Sequence, residues 1–399
     1  MPEKQLPFVV AGGGIGGLAV ALTLARQGHH VQLFEQARQF SEIGAGLQLG
    51  PNAIRLLRKW GVLADLQPHL IAPDELRMMD GLSGKPVGII PLGATFVERF
   101  QAPYYVAYRT DLHRALLSAC RARPNIRLEE GQAVSGFEQD GDGVVTHTRQ
   151  GRSERARALI GADGLRSTLR QLIVGDGDPT FANHTCYRTL LKPDEMPQDS
   201  AWHAATLWAG RGTHLVHYPI AGGSLYNIVA TVTSDWRHDG WNEPGDKAEL
   251  LHHFRHNCAQ SRRILDAGQS YRKWALADRA PVTGWSKGRV TLLGDAAHPV
   301  LQYYAQGAAM ALEDADCLAE LIARHGDNIQ TAFALYEQER QPRTARLYHE
   351  ARKLGELYHA TGIKRLLRNL IMPRTPPDKW YEKVSWIYAG PAAQHIPHA

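Results

Sequence analysis

Apolar and polar positions follow two different rhythms along the chain. The apolar run Phe8–Ala11 reads as a strand, residues 18–25 as a helix ended by Gly28, and Val31–Phe34 as a second strand closing on Glu35. That is a βαβ opening. From about residue 50 the period turns helical, and residues 109–120 form an amphipathic helix with Leu112, Leu116 and Leu117 at helical spacing. Strand-like stretches follow at 134–148, around a Gly-Asp-Gly turn, and at 157–162, running into Ala-Asp-Gly. Between about 176 and 280 the pattern becomes an alternation. Segments 206–209, 214–218 and 226–232, separated by GRGT and AGGS, predict an antiparallel meander. Its period of two puts His214, Val216 and Tyr218 on one face and Leu215 and His217 on the other. A strand at 290–293 ends in Gly-Asp and a long helix spans 308–323. Residues 333–346 and 354–370 read as helical, while 373–377 and the last ten residues read as loop or tail. No internal repeat is visible.

Composition narrows the class. With 399 residues, 44% hydrophobic, 21% charged and 8% aromatic, the chain can bury a large core and is neither a disordered nor a disulfide-scaffold protein. The net charge of +5 favours anionic ligands. The densest basic stretch, 365–368, is short and amphipathic, which argues against a nucleic-acid partner. Cys120, Cys186, Cys258 and Cys317 form no C-x-x-C pair, so neither a metal site nor a disulfide framework is expected, and they read as buried apolar residues. Residues 8–25 could pass for a signal or membrane span, but Gly12, Gly13, Gly14, Gly16 and Gly17 fit a strand, a turn and a buried helix better. The expectation is a cytoplasmic protein without membrane insertion.

The first chemical motif is GGGIGG, with Gly12, Gly14 and Gly17 in the G-x-G-x-x-G positions. Glycines there let the chain turn tightly, approach a pyrophosphate and pack helix against strand, and the helix dipole faces the anion. Glu35 lies 18 residues after Gly17, where an acid can accept the ribose hydroxyls of an adenosine. The motif indicates a dinucleotide without separating NAD from FAD. Two later motifs sit at the ends of apolar strands: Gly161-Ala162-Asp163-Gly164 with Arg166 and Ser167, and Gly294-Asp295-Ala296-Ala297-His298-Pro299.

Taken together, the three motifs resemble those of the group A flavoprotein aromatic hydroxylases, single-component FAD monooxygenases similar to para-hydroxybenzoate hydroxylase and salicylate hydroxylase. The resemblance runs from about residue 7 to 346. It implies an α/β fold: a Rossmann-like FAD-binding domain, an inserted mainly antiparallel β-sheet substrate domain, and a C-terminal helical region. The corresponding divisions are 1–75, 100–175 and 281–345 for the first, 76–99 and 176–280 for the second, and 346–399 for the helical region and tail. It also implies that Gly12, Gly14, Gly17 and Glu35 contact the FAD pyrophosphate and ribose, that Arg109 reaches FAD from its helix, and that Asp163 lies near both FAD and the nicotinamide cofactor. Asp295 would hold the ribityl chain. The backbone from Gln306 through Gly307 and Ala308 would turn a helix N-terminus toward the flavin ring. Residues 44–49, GAGLQL, resemble the loop beside that ring. NADH or NADPH and O2 are the implied co-substrates, and no second glycine fingerprint provides a separate nicotinamide domain.

One departure stands out. Where the family commonly reads H-P-x-L-P-x-x-A-Q-G, this chain reads HPVLQYYAQG, with Gln302 at the second proline. This resembles the branch that hydroxylates 3-hydroxybenzoate para to its hydroxyl, a branch that also carries a His and a Tyr four residues apart, matched by His214 and Tyr218. A histidine suits removal of a phenol proton at neutral pH. The expected roles are His214 as base or proton relay, Gln302 on the phenol oxygen, and Tyr218 orienting the ring or its carboxylate. His217 is expected to be structural, His298 to shape its loop, and Arg340, Pro342 and Arg343 to serve helix packing and domain docking. The partner is then a small aromatic carboxylate, and the C-terminal helices either form a homodimer interface or cover the core. Salicylate 1-hydroxylation, 6-hydroxynicotinate 3-hydroxylation, and a flavin sensor without turnover remain as alternatives.

Overall fold

The computed structural model of the chain describes residues 6–390 apart from 41–43, 239 and 241. Phe8–Ala11, Val31–Phe34, Ala158–Gly161 and Val290–Leu292 are buried along their whole lengths. Such uninterrupted apolar strands belong in a parallel sheet covered on both faces. They form one, in the order 286–287, 290–292, 158–161, 8–11, 31–34, 126–129, with only the first strand antiparallel. Each fully buried Val, Leu or Ile here contributes roughly 1.5–3 kcal/mol. Helix Ile15–Arg26 packs against helix Gly307–His325, where the Thr23 hydroxyl donates to the Ala315 carbonyl at 3.2 Å.

The strand-like stretch expected at 134–148 around its Gly-Asp-Gly turn is a hairpin of Val134–Gln139 and Val144–Thr148, joined to Ser153–Ala156 in a small antiparallel sheet. The Asp140 carboxylate accepts the N–H groups of Asp142 and Gly143 at 3.0 and 2.8 Å, which tightens the turn between them.

The second large sheet has eight strands, in the order 243–245, 271–278, 180–191, 225–233, 213–220, 204–209, 75–80, 86–91. The expected meander is its centre. Its register aligns three rows across the strands: Cys186, Thr231 and His214; Arg188, Val229 and Val216; Leu190, Asn227 and Tyr218. All nine side chains share one face. Strand Glu75–Asp80 joins in parallel to Ala204–Ala209, so a segment far away in sequence completes the sheet.

Helix Ile329–Tyr358 runs 30 residues despite Pro342. The helix expected at 354–370 is interrupted: the chain breaks at 359–361 and resumes as Gly362–Ile371, with Gly362 at a φ of 54°. Residues 373–377 are not simply loop. Pro377 opens helix Pro377–Tyr388, a first-turn position where its missing N–H costs nothing. Arg365 and Arg368 bond the buried Asp80 carboxylate at 2.5–3.0 Å, so the densest basic stretch docks this C-terminal region onto the sheet. Among the described residues, no helix is long and apolar enough to cross a membrane.

Candidate active site

The glycine turn is built as its spacing requires. Gly12 adopts a φ of 107°, and a Cβ there would collide with the Ala162 carbonyl, as one on Gly17 would with the Gly12 carbonyl. Gly14 precedes helix Ile15–Arg26, whose first turn carries no acid to compete with a bound anion. Glu35 accepts the Gly13 N–H at 2.6 Å and the Ala37 N–H at 2.7 Å, which fixes its carboxylate at the rim of the turn. The buried His113 adds a bond to the Gly13 carbonyl at 2.8 Å. It gave no motif signal, because only its helix brings it there.

Arg109 opens helix Arg109–Arg121, and its N–H donates to the Ala45 carbonyl at 2.7 Å, seating the GAGLQL loop against the helix start. Asp163 turns inward. Its carboxylate accepts the Ser167 hydroxyl at 2.5 Å and the Leu169 N–H at 3.2 Å, and burial raises its pKa despite these bonds. Asp295 is exposed among buried neighbours, beside the start of helix Gly307–His325; a Cβ on Gly307 would lie 4.0 Å from its Oδ1. Ala308 is the second residue of that helix, whose first turn is also free of acids.

A buried ionic network holds that helix. Glu313 bonds Arg340 at 2.8 Å and Arg343 at 2.6 and 2.7 Å, and accepts from Asn52 at 2.8 Å. Asn52 also donates to Gln306 Oε1 at 3.0 Å. Asp314 takes Arg340 at 2.6 Å, His298 at 2.6 Å and the Gly294 N–H at 3.0 Å. Burial alone would raise both carboxyls, but Arg340 with Arg343 on Glu313, and His298 with Arg340 on Asp314, lower them; Asp314 falls to about 2. His298 and the two arginines therefore fix the GDAAHP loop and the Gln306–Gly307 helix start relative to each other.

His214 is 2% exposed on its strand, and burial, then His359 and His184, hold its pKa well below the usual histidine value. Its surroundings therefore favour the neutral imidazole. Its Nδ1 meets His359 Nε2 at 2.8 Å, which leaves Nε2 as the nitrogen that can face a substrate. Gln302 lies next to it: its Nε2 donates to Thr231 Oγ1 at 3.3 Å, and Thr231 is the cross-strand partner of His214. The same amide reaches Cys186 Sγ at 3.5 Å, so that cysteine lines the site.

Tyr218 shares the face but not the cluster. Four residue steps along the strand put it about 13 Å from His214. Its hydroxyl faces Gln48 and Asn227, and burial pushes its pKa up to about 12 against Arg188 and those two side chains. Asn227 accepts the Gly46 N–H at 2.9 Å, and Tyr104 donates to Gln48, so the GAGLQL loop closes over this end. Between the two ends lies Arg188, which the sequence reading missed. Its guanidinium stacks on Trp274 at 4.5 Å, its Nε is buried without an acceptor, and among the described residues no carboxylate pairs with it. Burial, then Cys186, Tyr218 and Arg109, set its pKa, with a net lowering. His217 is on the opposite face, stacked on Trp208.

Residues 5–351 match the family model described as FAD binding domain, and the chain belongs to that family of FAD-binding proteins. Over 384 residues it is 41% identical to the 3-hydroxybenzoate 6-hydroxylase of Polaromonas naphthalenivorans (strain CJ2), covering 96% of each chain. It is also 41% identical over 385 residues to the 3-hydroxybenzoate 6-hydroxylase of Klebsiella oxytoca, covering 96% of this chain and 97% of that one. Among solved structures it is similar to Klebsiella pneumoniae HpxO complexed with FAD and uric acid, with a TM-score of 0.84, 25% identity, and coverage of 97% of this chain and 98% of that chain. The cradle fits an FAD cofactor: a Cβ-free turn at Gly12 and Gly17, the Glu35 carboxylate held at the rim by the Gly13 N–H, and an acid-free helix start at Gly307.

Proposed function

We propose that the protein hydroxylates 3-hydroxybenzoate at C6, para to its hydroxyl, giving gentisate (2,5-dihydroxybenzoate). The observation that carries this reading is the neutral buried His214 beside Gln302, on the sheet face that the GAGLQL loop closes at its other end. The likeness to 3-hydroxybenzoate 6-hydroxylases supports the choice of ring. Gly12, Gly14, Gly17 and Glu35 would hold the pyrophosphate and ribose of FAD, with Arg109, Asp295, Gly307 and Ala308 nearer the ring and Asp163 fixing its loop. Bound FAD supplies the redox chemistry, taking electrons from NADH or NADPH and activating O2.

The chain's own part is to place the ring and control one proton. His214 Nε2 accepts the phenol proton, which makes the carbon para to that oxygen electron-rich. Gln302 can present either end of its amide to the same oxygen and fixes its direction. Arg188 is a buried cation without an anion, and a substrate carboxylate would complete the pair, with Tyr218 alongside. Arg188→Gln is expected to raise the KM for 3-hydroxybenzoate by about 10- to 100-fold, since a charge-assisted hydrogen bond is worth roughly 1.5–3 kcal/mol, and to leave the KM for uncharged 3-hydroxybenzamide nearly unchanged. Equal effects on both compounds would remove Arg188 from carboxylate binding.

Oxygen uptake tests the reading as a whole. 3-Hydroxybenzoate should stimulate NADH-dependent O2 consumption more than salicylate or 6-hydroxynicotinate does, whereas a flavin sensor would show bound flavin and no stimulation. The same reading takes the protein as cytoplasmic and homodimeric. Ile363, Leu366, Leu367, Leu370 and Ile371 expose an apolar surface on helix Gly362–Ile371 that a second copy would cover. Sedimentation at twice the chain mass supports the dimer and sedimentation at the chain mass removes it.

A further inference from the structure

Behind His214 the imidazoles continue outward. His359 Nε2 meets His214 Nδ1 at 2.8 Å, His359 Nδ1 meets His184 Nε2 at 3.1 Å, and His184 Nδ1 meets the Tyr303 hydroxyl at 2.8 Å. Each ring uses one nitrogen inward and the other outward, so the three stand in series. Among the described residues no His, Cys, Asp or Glu cluster is placed to hold a metal ion.

The surroundings hold these rings in line. His359 is the residue at which helix Ile329–Tyr358 ends, and one turn earlier Gly355 lets that helix lie on the Tyr303 ring, where a Cβ would approach to 2.7 Å. His184 sits where strand Thr180–Leu191 slips register between Phe181 and Thr185, next to Asn183 in the left-handed region at a φ of 54°. A bulge of this kind re-aims a side chain. The series also runs from inside to outside: His214 is buried, His184 is half-buried, and Asn183 beside it is exposed.

We propose that His359 and His184 form a proton wire that carries the phenolic proton from His214 out of the site. The proposal rests on the hydroxylase reading above. In the receptive state each histidine carries its proton on Nδ1 and leaves Nε2 open. The substrate O–H bond breaks as an N–H bond forms at His214 Nε2. The Nδ1 proton of His214 passes to His359 Nε2, and that of His359 to His184 Nε2. One proton then leaves the half-buried His184 ring, from Nδ1, on the side of exposed Asn183. Each ring gains and loses one proton, and no electrons move. For the next turnover a proton enters at His184 Nδ1 and passes inward, and His214 Nε2 gives its proton to the phenolate oxygen of the product, which restores the Nδ1–H tautomers.

The charges facing the wire agree with a path that passes protons without storing them. Burial, then His184, lowers His359 to about 3, and burial, then Arg352, lowers His184. Arg352 is itself paired with Asp278 at 2.6 Å. Tyr303 and Tyr358 pack on the His214 ring with centroids 5.4 and 5.6 Å away, and burial raises both phenols. Gln302 and Cys186 complete the surroundings on the sheet side.

In this account His359 and His184 are positioning residues that act through His214, and the test is a kinetic series on the FAD-loaded enzyme. His359→Gln keeps a hydrogen-bonding side chain but cannot pass a proton, and His184→Gln does the same one step out. Each is expected to lower kcat for dihydroxybenzoate formation by tenfold or more, with FAD content and KM for 3-hydroxybenzoate within twofold of wild type. The double variant should be no slower than the worse single one, because a wire cut once is already cut. Added imidazole should restore turnover to His359→Gly, with a rate that follows the basicity of the imidazole used, which packing alone would not produce. Single variants within twofold of wild type in kcat would overturn the wire, as would losses that multiply in the double variant. A wild-type enzyme that makes no hydroxylated product would instead overturn the function on which the wire rests.

Discussion

His214→Asn is expected to lower kcat for gentisate formation by about 10²- to 10⁴-fold at neutral pH, the usual range for loss of a positioned base. The pH profile should change shape as well. Burial first, then His359 and His184, depress the His214 pKa, so its neutral, proton-accepting form persists below the ordinary histidine value of about 6.5. The wild-type rate should therefore hold steady through neutral pH and fall only when acid reaches that lowered pKa. The variant has no base and depends on ionisation of the phenol in solution, near pH 10 for an unperturbed phenol. Its rate should climb with pH and close much of the gap. Steady-state kinetics with product detection checks this, and an unchanged kcat in His214→Asn would assign the base elsewhere.

Glu313→Ala should be the most destabilising single change outside the glycine turn. It leaves Arg340 and Arg343, each buried to within a few percent, without the carboxylate they share. Removing one partner of a buried pair costs about 3–5 kcal/mol, because the remaining charge stays desolvated. At roughly 2–4 °C per kcal/mol for a domain of 150–250 residues, Tm should drop by about 10 °C. FAD affinity should weaken too if the proposed cradle holds, since Asn52 links Glu313 to Gln306 at the start of helix Gly307–His325, which that proposal turns toward FAD. Thermal denaturation of apo and FAD-loaded protein reads both effects. A Tm within about 2 °C of wild type would mean that water or a neighbouring acid compensates the arginines.

Local physics made part of this structure legible in the sequence. Phe8–Ala11, the glycine turn and Glu35 follow from short-range geometry, because only glycine fits where its φ is 107° and only a βαβ unit brings the acid back. The shared face of His214 and Tyr218 follows from strand parity. Parity does not give distance along the strand, and the two side chains belong to opposite ends of the site. Strand Thr180–Leu191 escaped notice because Asn183, His184 and Arg188 interrupt its apolar alternation, and those polar positions put Arg188 and His184 at the site. His359 was illegible for another reason: it lies 145 residues from His214, at the end of a helix whose packing on Tyr303 depends on the absence of a side chain at Gly355. Pro376 and Pro377 read as loop, although proline is well suited to begin a helix.

The central claim is a buried neutral base that directs oxygen to the carbon para to a phenol. The most direct test is chromatographic identification of the product when the FAD-loaded enzyme turns over 3-hydroxybenzoate with NADH and O2. The account predicts 2,5-dihydroxybenzoate as the sole aromatic product, in near one-to-one yield with NADH oxidised. Formation of 2,3- or 3,4-dihydroxybenzoate, or NADH loss that yields only hydrogen peroxide while salicylate is converted efficiently to catechol, would contradict it.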